Sequence, residues 1–283
     1  MAQQPESTIS STGQVFAAGG WLDAHFEMAR PEYEAMARAA GFRPGWRVLD
    51  AGCGGGHYLL LLAEIVGPAG ALAALDRAPE HIAAVRERVA AGAFACPVAA
   101  AVGSVLALPY PDGAFDGLWC AAVTQYLADG ELTAALAEFR RVVRPGGLVA
   151  VKDIDGNLMR APTRVPGLIQ HLREARARAG SPQARGALRG PELRTWLRCA
   201  GFADVRLETT LVERWPPYRP AERQYLLSLV DTFAGLAEDV DIPQYERDEW
   251  ARLRVLGDAL LDDPNHYYRE GHVLAVGRVP TGA

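Results

Sequence analysis

The residues best suited to chemistry lie where a short apolar run ends in a carboxylate and then breaks into glycines. The carboxylate is Asp50, and glycines follow it at alternate positions, namely Gly52, Gly54 and Gly56. Glycine lets the backbone adopt a positive φ and approach a ligand closely, because no Cβ stands in the way. The free N–H groups at the start of a following helix favour a polar or anionic ligand group. The pattern predicts a binding turn between a buried strand and a helix.

A second carboxylate, Asp76, ends the next apolar run and lies 20 residues after Gly56. An acid at about this distance closes the second strand of a βαβ unit and can accept hydrogen bonds from both ribose hydroxyls of an adenosine ligand. Each such bond contributes roughly 1.5–3 kcal/mol. The two motifs together predict an adenosine-containing cofactor. The structural alternatives are a packing role for the glycines and a solvated turn at Asp76.

The spacing of the glycines separates two kinds of cofactor-binding turn. A nicotinamide or flavin turn needs Gly-x-Gly-x-x-Gly, but His57 stands where the third glycine should be. The order acidic-x-Gly-x-Gly-x-Gly instead resembles motif I of class I S-adenosylmethionine-dependent methyltransferases. Residues 108–116, Leu-Pro-Tyr-Pro-Asp-Gly-Ala-Phe-Asp, resemble a segment of the ubiquinone/menaquinone type of that family. The resemblance is closest over residues 42–153.

This resemblance implies an α/β fold, a Rossmann-like doubly wound seven-stranded sheet with its last strand antiparallel, and S-adenosylmethionine as the cofactor. Ser104 stands where relatives commonly carry an aspartate that bonds the adenine amine. A hydroxyl bonds more weakly than a carboxylate, so backbone groups at Ser104 and Val105 are expected to share this contact. The predicted cofactor-binding residues are Asp50, Gly52, Cys53, Gly54, Gly56, Asp76, Arg77, Gly103, Ser104, Val105, Cys120 and Ala121.

Candidate catalytic groups are polar side chains near the carboxyl ends of the strands, where open α/β sheets bind their ligands. Methyl transfer needs the acceptor to be held close to the methyl group, and it needs a base only when the nucleophile is poorly ionised. His25 and Asp155 are secondary candidates, with core packing and an Asx turn as their respective alternatives. The predicted catalytic residues are His57, Gln125, Tyr126, Asp153 and His266.

Hydrophobic periodicity predicts the elements that must position these groups. A helix is expected to follow Pro31, which suits a first helical turn, and residues 1–13 are expected to lack structure. Strands are predicted near residues 47–50, 71–76, 97–102, 116–120, 148–153, 205–210 and 272–278. The predicted domains are a tail and helical cap (1–41), a cofactor-binding core (42–155, 190–211 and 271–283) and helical lid insertions (156–189 and 212–270).

Composition narrows the classes of partner. The 283 residues carry 34 acidic and 29 basic side chains, a formal charge of −5, without a continuous basic stripe. Nucleic acid is therefore not expected as a partner. The four cysteines show no paired spacing, which predicts free thiols in a reducing cytoplasm. The N-terminal residues do not show the pattern of a signal peptide, and no apolar run approaches 18 residues. A cytoplasmic protein without membrane contact is therefore expected.

The expected function follows from these observations and from the resemblance. No His, Cys or Asp cluster shows metal-ligand spacing, so no metal is expected. We expect methyl transfer to an O, N or C nucleophile of a small metabolite, in secondary metabolism. One alternative is a cyclase or rearrangement enzyme that retains S-adenosylmethionine without methyl transfer, and another is a scaffold with a vestigial site. The apolar stripes of the second insertion could instead form a homodimer interface.

Overall fold

Seven strands form one mixed sheet in the computed structural model, which describes residues 10–15 and 18–281. The strands are β1 (Arg47–Ala51), β2 (Ala71–Asp76), β3 (Val98–Val102), β4 (Phe115–Ala121), β5 (Val143–Arg160), β6 (Ala203–Arg214) and β7 (Tyr268–Arg278). Their order is β3-β2-β1-β4-β5-β7-β6, and β7 runs antiparallel to both neighbours. The predicted Rossmann-like seven-stranded sheet with an antiparallel last strand is confirmed, and this strand lies between the fifth and the sixth.

Helices cover both faces of this sheet. In the described residues they are α1 (Gly19–Ala39), α2 (Leu59–Val66), α3 (Pro79–Ala90), α4 (Asp129–Val142), α5 (Leu168–Arg178), α6 (Pro182–Leu188), α7 (Leu193–Cys199), α8 (Pro220–Glu238), α9 (Gln244–Leu256) and α10 (Asp258–Leu261). Helices α5, α6 and α8 to α10 fall within the predicted insertions, although β5 continues into the first of them as far as Arg160. Within the described ranges, no helix has both the length and the apolar character needed to cross a membrane.

The pleat of the sheet divides the strand side chains between two hydrophobic layers. Leu118 and Val149 pack in one layer with residues of α4 and α7. Trp119 and Ala150, one position further along the same strands, pack in the other layer with residues of α1, α2 and α8. Successive side chains of a strand point to opposite faces. A shift of one residue therefore decides which layer a strand side chain reaches.

Helix α1 differs from its prediction, because Pro31 lies in its interior and not in its first turn. An internal proline removes one backbone N–H and leaves a carbonyl of the preceding turn without its helical partner. Arg219 Nη2 donates to the Glu27 carbonyl at 3.4 Å, and Arg214 Nε donates to the Met28 carbonyl at 2.9 Å. Guanidinium groups that are distant in sequence thus satisfy the carbonyls around the proline.

Residues 10–13, which were expected to lack structure, and the residues that follow them to Val15 make specific contacts. The Ser11 hydroxyl donates to Glu80 Oε2 at 2.7 Å, and the Tyr126 hydroxyl donates to the Val15 carbonyl at 2.9 Å. This segment therefore lies against the carboxyl edge of the sheet. The rest of the predicted tail, and the chain end, lie partly outside the described residues, namely at 1–9, 16, 17, 282 and 283.

Candidate active site

A cavity of ≈ 330 Å³ lies at the carboxyl ends of β1, β2, β4 and β5 and continues beneath α1, α5 and α8. Asp50 and Asp76 line it beside β1 and β2, and we call this the acidic side. Lys152, Arg173 and Arg176 line it beside β5 and α5, and we call this the basic side. The ligand site was predicted from the sequence at this carboxyl edge, where open α/β sheets bind their ligands.

The glycine bend at the end of β1 forms the floor of the acidic side. Gly52 has a φ of +79°, and a Cβ there would lie 2.3 Å from Val123 Cγ2. The N–H groups of Gly52 and Cys53 both donate to the Leu75 carbonyl, at 2.7 and 3.0 Å. Glycine is therefore required at this position both by backbone conformation and by space.

Asp76 is held at the cavity wall by three contacts. Its carboxylate accepts bonds from Gly54 N–H at 2.8 Å and Ala78 N–H at 2.9 Å, and His81 Nδ1 lies 3.2 Å from it. A carboxylate offers about four lone-pair sites. A ligand hydroxyl can therefore use the remaining site, and a second hydroxyl would have to displace His81, the longest of the three contacts.

Asp50 is the other carboxylate of the acidic side, and its environment is unusual. Its side chain is buried, and its Oδ2 has no hydrogen-bond partner among the described residues. Burial, and then the nearby charge of Asp76, raise the pKa of Asp50 to about 8. A buried acceptor without a partner is costly. A positively charged group bound in the cavity would satisfy it.

Lys152 is the polar side chain of β5 that lines the cavity. It is 2% exposed, and its Nζ lies 3.6 Å from the centre of the Tyr33 ring. Burial lowers the pKa of Lys152 to about 7, although Asp153 and Glu270 oppose this shift. Lys152 was not among the predicted catalytic residues, although it stands out in the sequence as the only lysine and lies beside Asp153 and Asp155.

Asp153 was predicted to be catalytic, but it does not line the cavity. Its carboxylate accepts bonds from the Thr124 hydroxyl at 2.5 Å, the Gln125 N–H at 2.9 Å and the Ile154 N–H at 2.8 Å. The pleat explains the difference, because Lys152 and Asp153 project from opposite faces of β5. Asp153 therefore holds the loop after β4 from outside the cavity lining.

We predict that Asp153→Asn destabilises the protein by about 1–3 kcal/mol, because an amide cannot accept all three bonds. Urea unfolding measures this loss. The pH dependence of any methyl-transfer activity should stay that of the wild type. Loss of one limb of the pH–rate profile in the folded variant would instead restore Asp153 as a base.

Three further predicted residues do not line this cavity. Cys120 packs in the layer of α4 and α7, because the pleat turns it away from the ligand side. Gly56 lies beneath α2, where a Cβ would come within 2.8 Å of Leu59 Cδ1. His266 lines a separate small cavity, and its Nδ1 lies 2.6 Å from the Tyr218 hydroxyl. The tertiary structure thus separates these residues from the candidate site.

The cavity brings together the remaining predicted residues. His57 Nε2 lies 2.6 Å from Asp23 Oδ1, a contact that lowers the Asp23 pKa, so His57 joins the glycine loop to α1. Burial raises the pKa of Tyr126 above its ordinary value. These residues line the wall: Asp50, Gly52, Cys53, Gly54, His57, Asp76, Arg77, Gly103, Ser104, Val105, Ala121, Gln125 and Tyr126.

His25, Glu270 and His272 form a cluster at the cavity wall that the sequence did not indicate, and the expectation that no metal is bound stays a prediction. The ligand atoms of the three side chains all lie within 4.8 Å of one another. Residues 25 and 270 are far apart in sequence, so spacing could not reveal the group. Two histidines and a carboxylate can bind a divalent metal. Here Glu270 Oε1 already contacts both rings, His25 at 2.9 Å and His272 at 2.8 Å.

The charge state of this cluster follows from its burial. Burial lowers the pKa of His272 to about 4, so its ring is neutral near pH 7. Burial alone would raise the pKa of Glu270, but the contacts with His25 and His272 outweigh burial and hold the pKa well below its ordinary value. The cluster therefore presents an ionised carboxylate, fully enclosed behind the rings that line the cavity.

Comparison with known proteins finds methyltransferases among the proteins that this chain resembles. Residues 48–147 match the family model described as a methyltransferase domain. The chain is 33% identical over 134 residues to the demethylmenaquinone methyltransferase of Symbiobacterium thermophilum, covering 47% of this chain and 49% of the relative. It is 35% identical over 132 residues to the malonyl-acyl-carrier-protein O-methyltransferase of Serratia marcescens, covering 47% and 48%. The chain thus spans about half the length of these curated relatives.

Solved structures share the fold over most of the chain. The YcgJ protein of Bacillus subtilis is 17% identical with a TM-score of 0.57, covering 89% of this chain and 100% of that chain. Phosphoethanolamine N-methyltransferase 2 of Haemonchus contortus, solved with S-adenosyl-L-methionine, is 14% identical with a TM-score of 0.55, covering 92% and 57%. At these identities the similarity shows the fold alone.

Proposed function

We propose, on the premise that residues 48–147 match a methyltransferase domain, that the chain is a class I S-adenosylmethionine-dependent methyltransferase that methylates a small molecule bound in the cavity. The observation that carries the proposal is the unpaired, buried Oδ2 of Asp50 at the glycine bend, close enough to Asp76 for their charges to interact. A site of this kind suits a ligand that combines a positive charge with ribose hydroxyls. Both features belong to S-adenosylmethionine.

The residues of the acidic side fit the cofactor. Asp76 has an acceptor site for a ribose hydroxyl, and Asp50 offers its unpaired oxygen to a positive group. The Ser104 hydroxyl accepts a bond from Leu106 N–H at 3.2 Å, so its own hydrogen remains available to the adenine edge. When bound, S-adenosylmethionine supplies an electrophilic methyl group on a positively charged sulfur. The protein's task is then to orient the acceptor and exclude water.

The walls that enclose the acceptor support a small-molecule substrate. Helix α1 contributes Trp21, His25 and Tyr33 to the cavity lining, and α8 contributes Tyr225 and Phe233. Aromatic walls of this kind bind small, partly apolar ligands. We propose an O, N or C nucleophile of a small metabolite in secondary metabolism as the acceptor. A cytoplasmic location, the predicted domain boundaries and a homodimer remain predictions.

Asp76→Ala is predicted to weaken binding of S-adenosylmethionine or S-adenosylhomocysteine by roughly 1.5–3 kcal/mol, because charge-assisted bonds to the ribose are lost. Isothermal titration calorimetry measures the change. Glu64→Gln, at an exposed acid that pairs with Arg38 on the surface, is the matched control and should bind like the wild type. Unchanged affinity in a folded Asp76→Ala variant would refute the ribose assignment.

The function itself is tested by incubating the protein with methyl-labelled S-adenosylmethionine and extracts of its source. Mass spectrometry should find a labelled small molecule with the wild type and much less of it with Asp76→Ala. Conversion of a substrate when S-adenosylhomocysteine replaces the methyl donor would instead favour the cyclase or rearrangement alternative. If the protein binds the cofactor tightly but forms neither product, this result would count against catalysis.

A further inference from the structure

A buried arginine on the basic side of the cavity lacks an acidic partner. Arg173 of α5 is 8% exposed and lines the cavity. Its Nη2 donates to Met159 Sδ at 3.4 Å, a weak acceptor, and its guanidinium carbon lies 5.3 Å from the centre of the Phe233 ring. Its Nε is buried and has no hydrogen-bond partner among the described residues. A buried charge is costly unless it is paired.

Glu270, the acid whose charge reaches Arg173, already has its carboxylate oxygens occupied by other partners. Glu270 interacts electrostatically with Arg173, but no ion pair joins them in the described part of the chain. Glu270 Oε1 contacts His25 and His272, and its Oε2 accepts bonds from the Tyr225 hydroxyl at 2.6 Å and the Tyr268 hydroxyl at 2.7 Å. These contacts occupy about all the lone-pair sites of one carboxylate. Arg173 therefore lines the cavity while its buried Nε has no acceptor among the described residues.

A second arginine strengthens the positive character of this wall, and Lys152 adds to it when its amine is protonated. Arg176 lies one turn after Arg173 on α5 and also lines the cavity, and residues three apart share one face of a helix. Lys152 projects from β5 into the same cavity. In contrast, Arg178 of the same helix points outward, where its Nη1 lies 3.7 Å from Glu174. Like charges on one enclosed wall repel each other unless an anion lies between them.

We propose that the methyl acceptor carries an anionic group, a carboxylate or a phosphate, which pairs with the Arg173 guanidinium on the basic side of the cavity. The inference rests on the proposed function, because it names the chemical class of that function's substrate. A planar guanidinium matches the geometry of both anions and can bond either one through two parallel N–H groups. The acidic side then takes the positively charged cofactor, and the basic side takes the acceptor.

The competing role for Arg173 is structural, since its guanidinium stacks on Phe233 and could fix α5 against α8. The two roles differ in their effect on the ligand-free protein. If Arg173 binds an anionic ligand, its charge is uncompensated in the ligand-free protein. Arg173→Met then removes this buried charge and should raise the midpoint of thermal unfolding. If Arg173 holds the helices together, the same substitution should lower that midpoint.

The test uses the full chain saturated with S-adenosylhomocysteine and compares each anionic ligand with a neutral ligand that carries the same ring. The probes are 4-hydroxybenzoate against 4-hydroxybenzamide, phenyl phosphate against phenol, and inorganic phosphate. Calorimetry should show each organic anion binding at least about 10-fold more tightly than its neutral counterpart. Binding of inorganic phosphate without binding of the organic anions would identify a free phosphate site and overturn the assignment to a substrate.

Matched variants separate the possible causes of failure. Arg173→Gln should abolish the preference for the anion, Arg173→Lys should retain part of it, and Arg178→Gln should keep the wild-type preference. Equal binding of acid and amide by the wild type, or an unchanged preference in Arg173→Gln, would overturn the inference. The same holds if no anionic probe binds at millimolar concentration while S-adenosylhomocysteine does. Failure of S-adenosylhomocysteine to bind the wild type would instead refute the proposed function.

Discussion

Replacing Lys152 with methionine is expected to slow methyl transfer by about 10²- to 10⁴-fold, the effect of removing a general base. Lys152 is paired in the parallel ladder with Ala121 of β4, a predicted cofactor-binding residue. Its amine lines the same cavity in which the acceptor would lie. Affinity for S-adenosylhomocysteine should stay that of the wild type, because Lys152 belongs to the basic side.

If Lys152 acts as a base, the rate of methyl transfer should depend on pH through the protonation of its amine. The pKa of Lys152 is about 7 because burial disfavours the charged ammonium, against the attraction of Asp153 and Glu270. His272 and the Tyr33 ring also face it, and His272 is neutral near pH 7. The neutral amine is the basic form, so kcat/KM should rise as pH increases through about 7 and then level off. Lys152→Met should lose this rising limb.

Two measurements distinguish a base from a merely positive group. Lys152→Arg keeps the charge but stays protonated, so it should be as slow as Lys152→Met if Lys152 acts as a base. Because Lys152 is the only lysine, incorporation of ¹⁵N-lysine gives one side-chain resonance whose titration reports its pKa directly. A midpoint near the ordinary value of 10.5, or full activity in Lys152→Arg, would contradict a catalytic role.

Replacing Asp50 with asparagine is expected to have two opposite effects. Binding of S-adenosylmethionine should weaken by roughly 1.5–3 kcal/mol, because a charged acceptor for its positive group is lost. The ligand-free protein should become more stable, because a carboxylate that is costly to ionise in the folded state is removed. Thermal unfolding near pH 8 and calorimetric titration of the same two proteins measure both effects.

The pH dependence of stability follows from the raised pKa. The folded-state pKa of Asp50 is about 8, above its ordinary value of 3.8, so between these values the folded state binds more protons than the unfolded state. The stability that Asp50 contributes is therefore complete below pH 3.8 and is lost as pH rises through 8. The difference in the free energy of unfolding between the wild type and the more stable Asp50→Asn variant should therefore shrink as the pH is lowered toward 4.

Cofactor binding should also release a proton from the wild type near pH 7, because a positive ligand favours the ionised form of Asp50. Calorimetry in buffers of different ionisation enthalpy measures this release, and Asp50→Asn should show less of it. Equal proton release in both proteins, together with unchanged affinity, would show that Asp50 does not meet the ligand's charge.

Local sequence patterns predicted the framework of the site. A carboxylate, alternating glycines and a second acid after the next apolar run indicated the β1 and β2 ends, and the structure brings Asp50, Gly52 and Asp76 to one cavity wall. The family resemblance supplied the sheet topology, including the antiparallel β7. These features depend on residues that are near one another in sequence, so their spacing carries the information.

The tertiary structure alone decided which polar groups meet the acceptor. The pleat of β5 turns Lys152 into the cavity and Asp153 away from it, a choice that a shift of one residue would reverse. Pairing of β7 with β5 brings His272 beside α1 and its His25, and packing of α5 carries Arg173 to the same wall. Contacts between segments this far apart depend on the register and docking of whole elements, because no spacing along the chain encodes them.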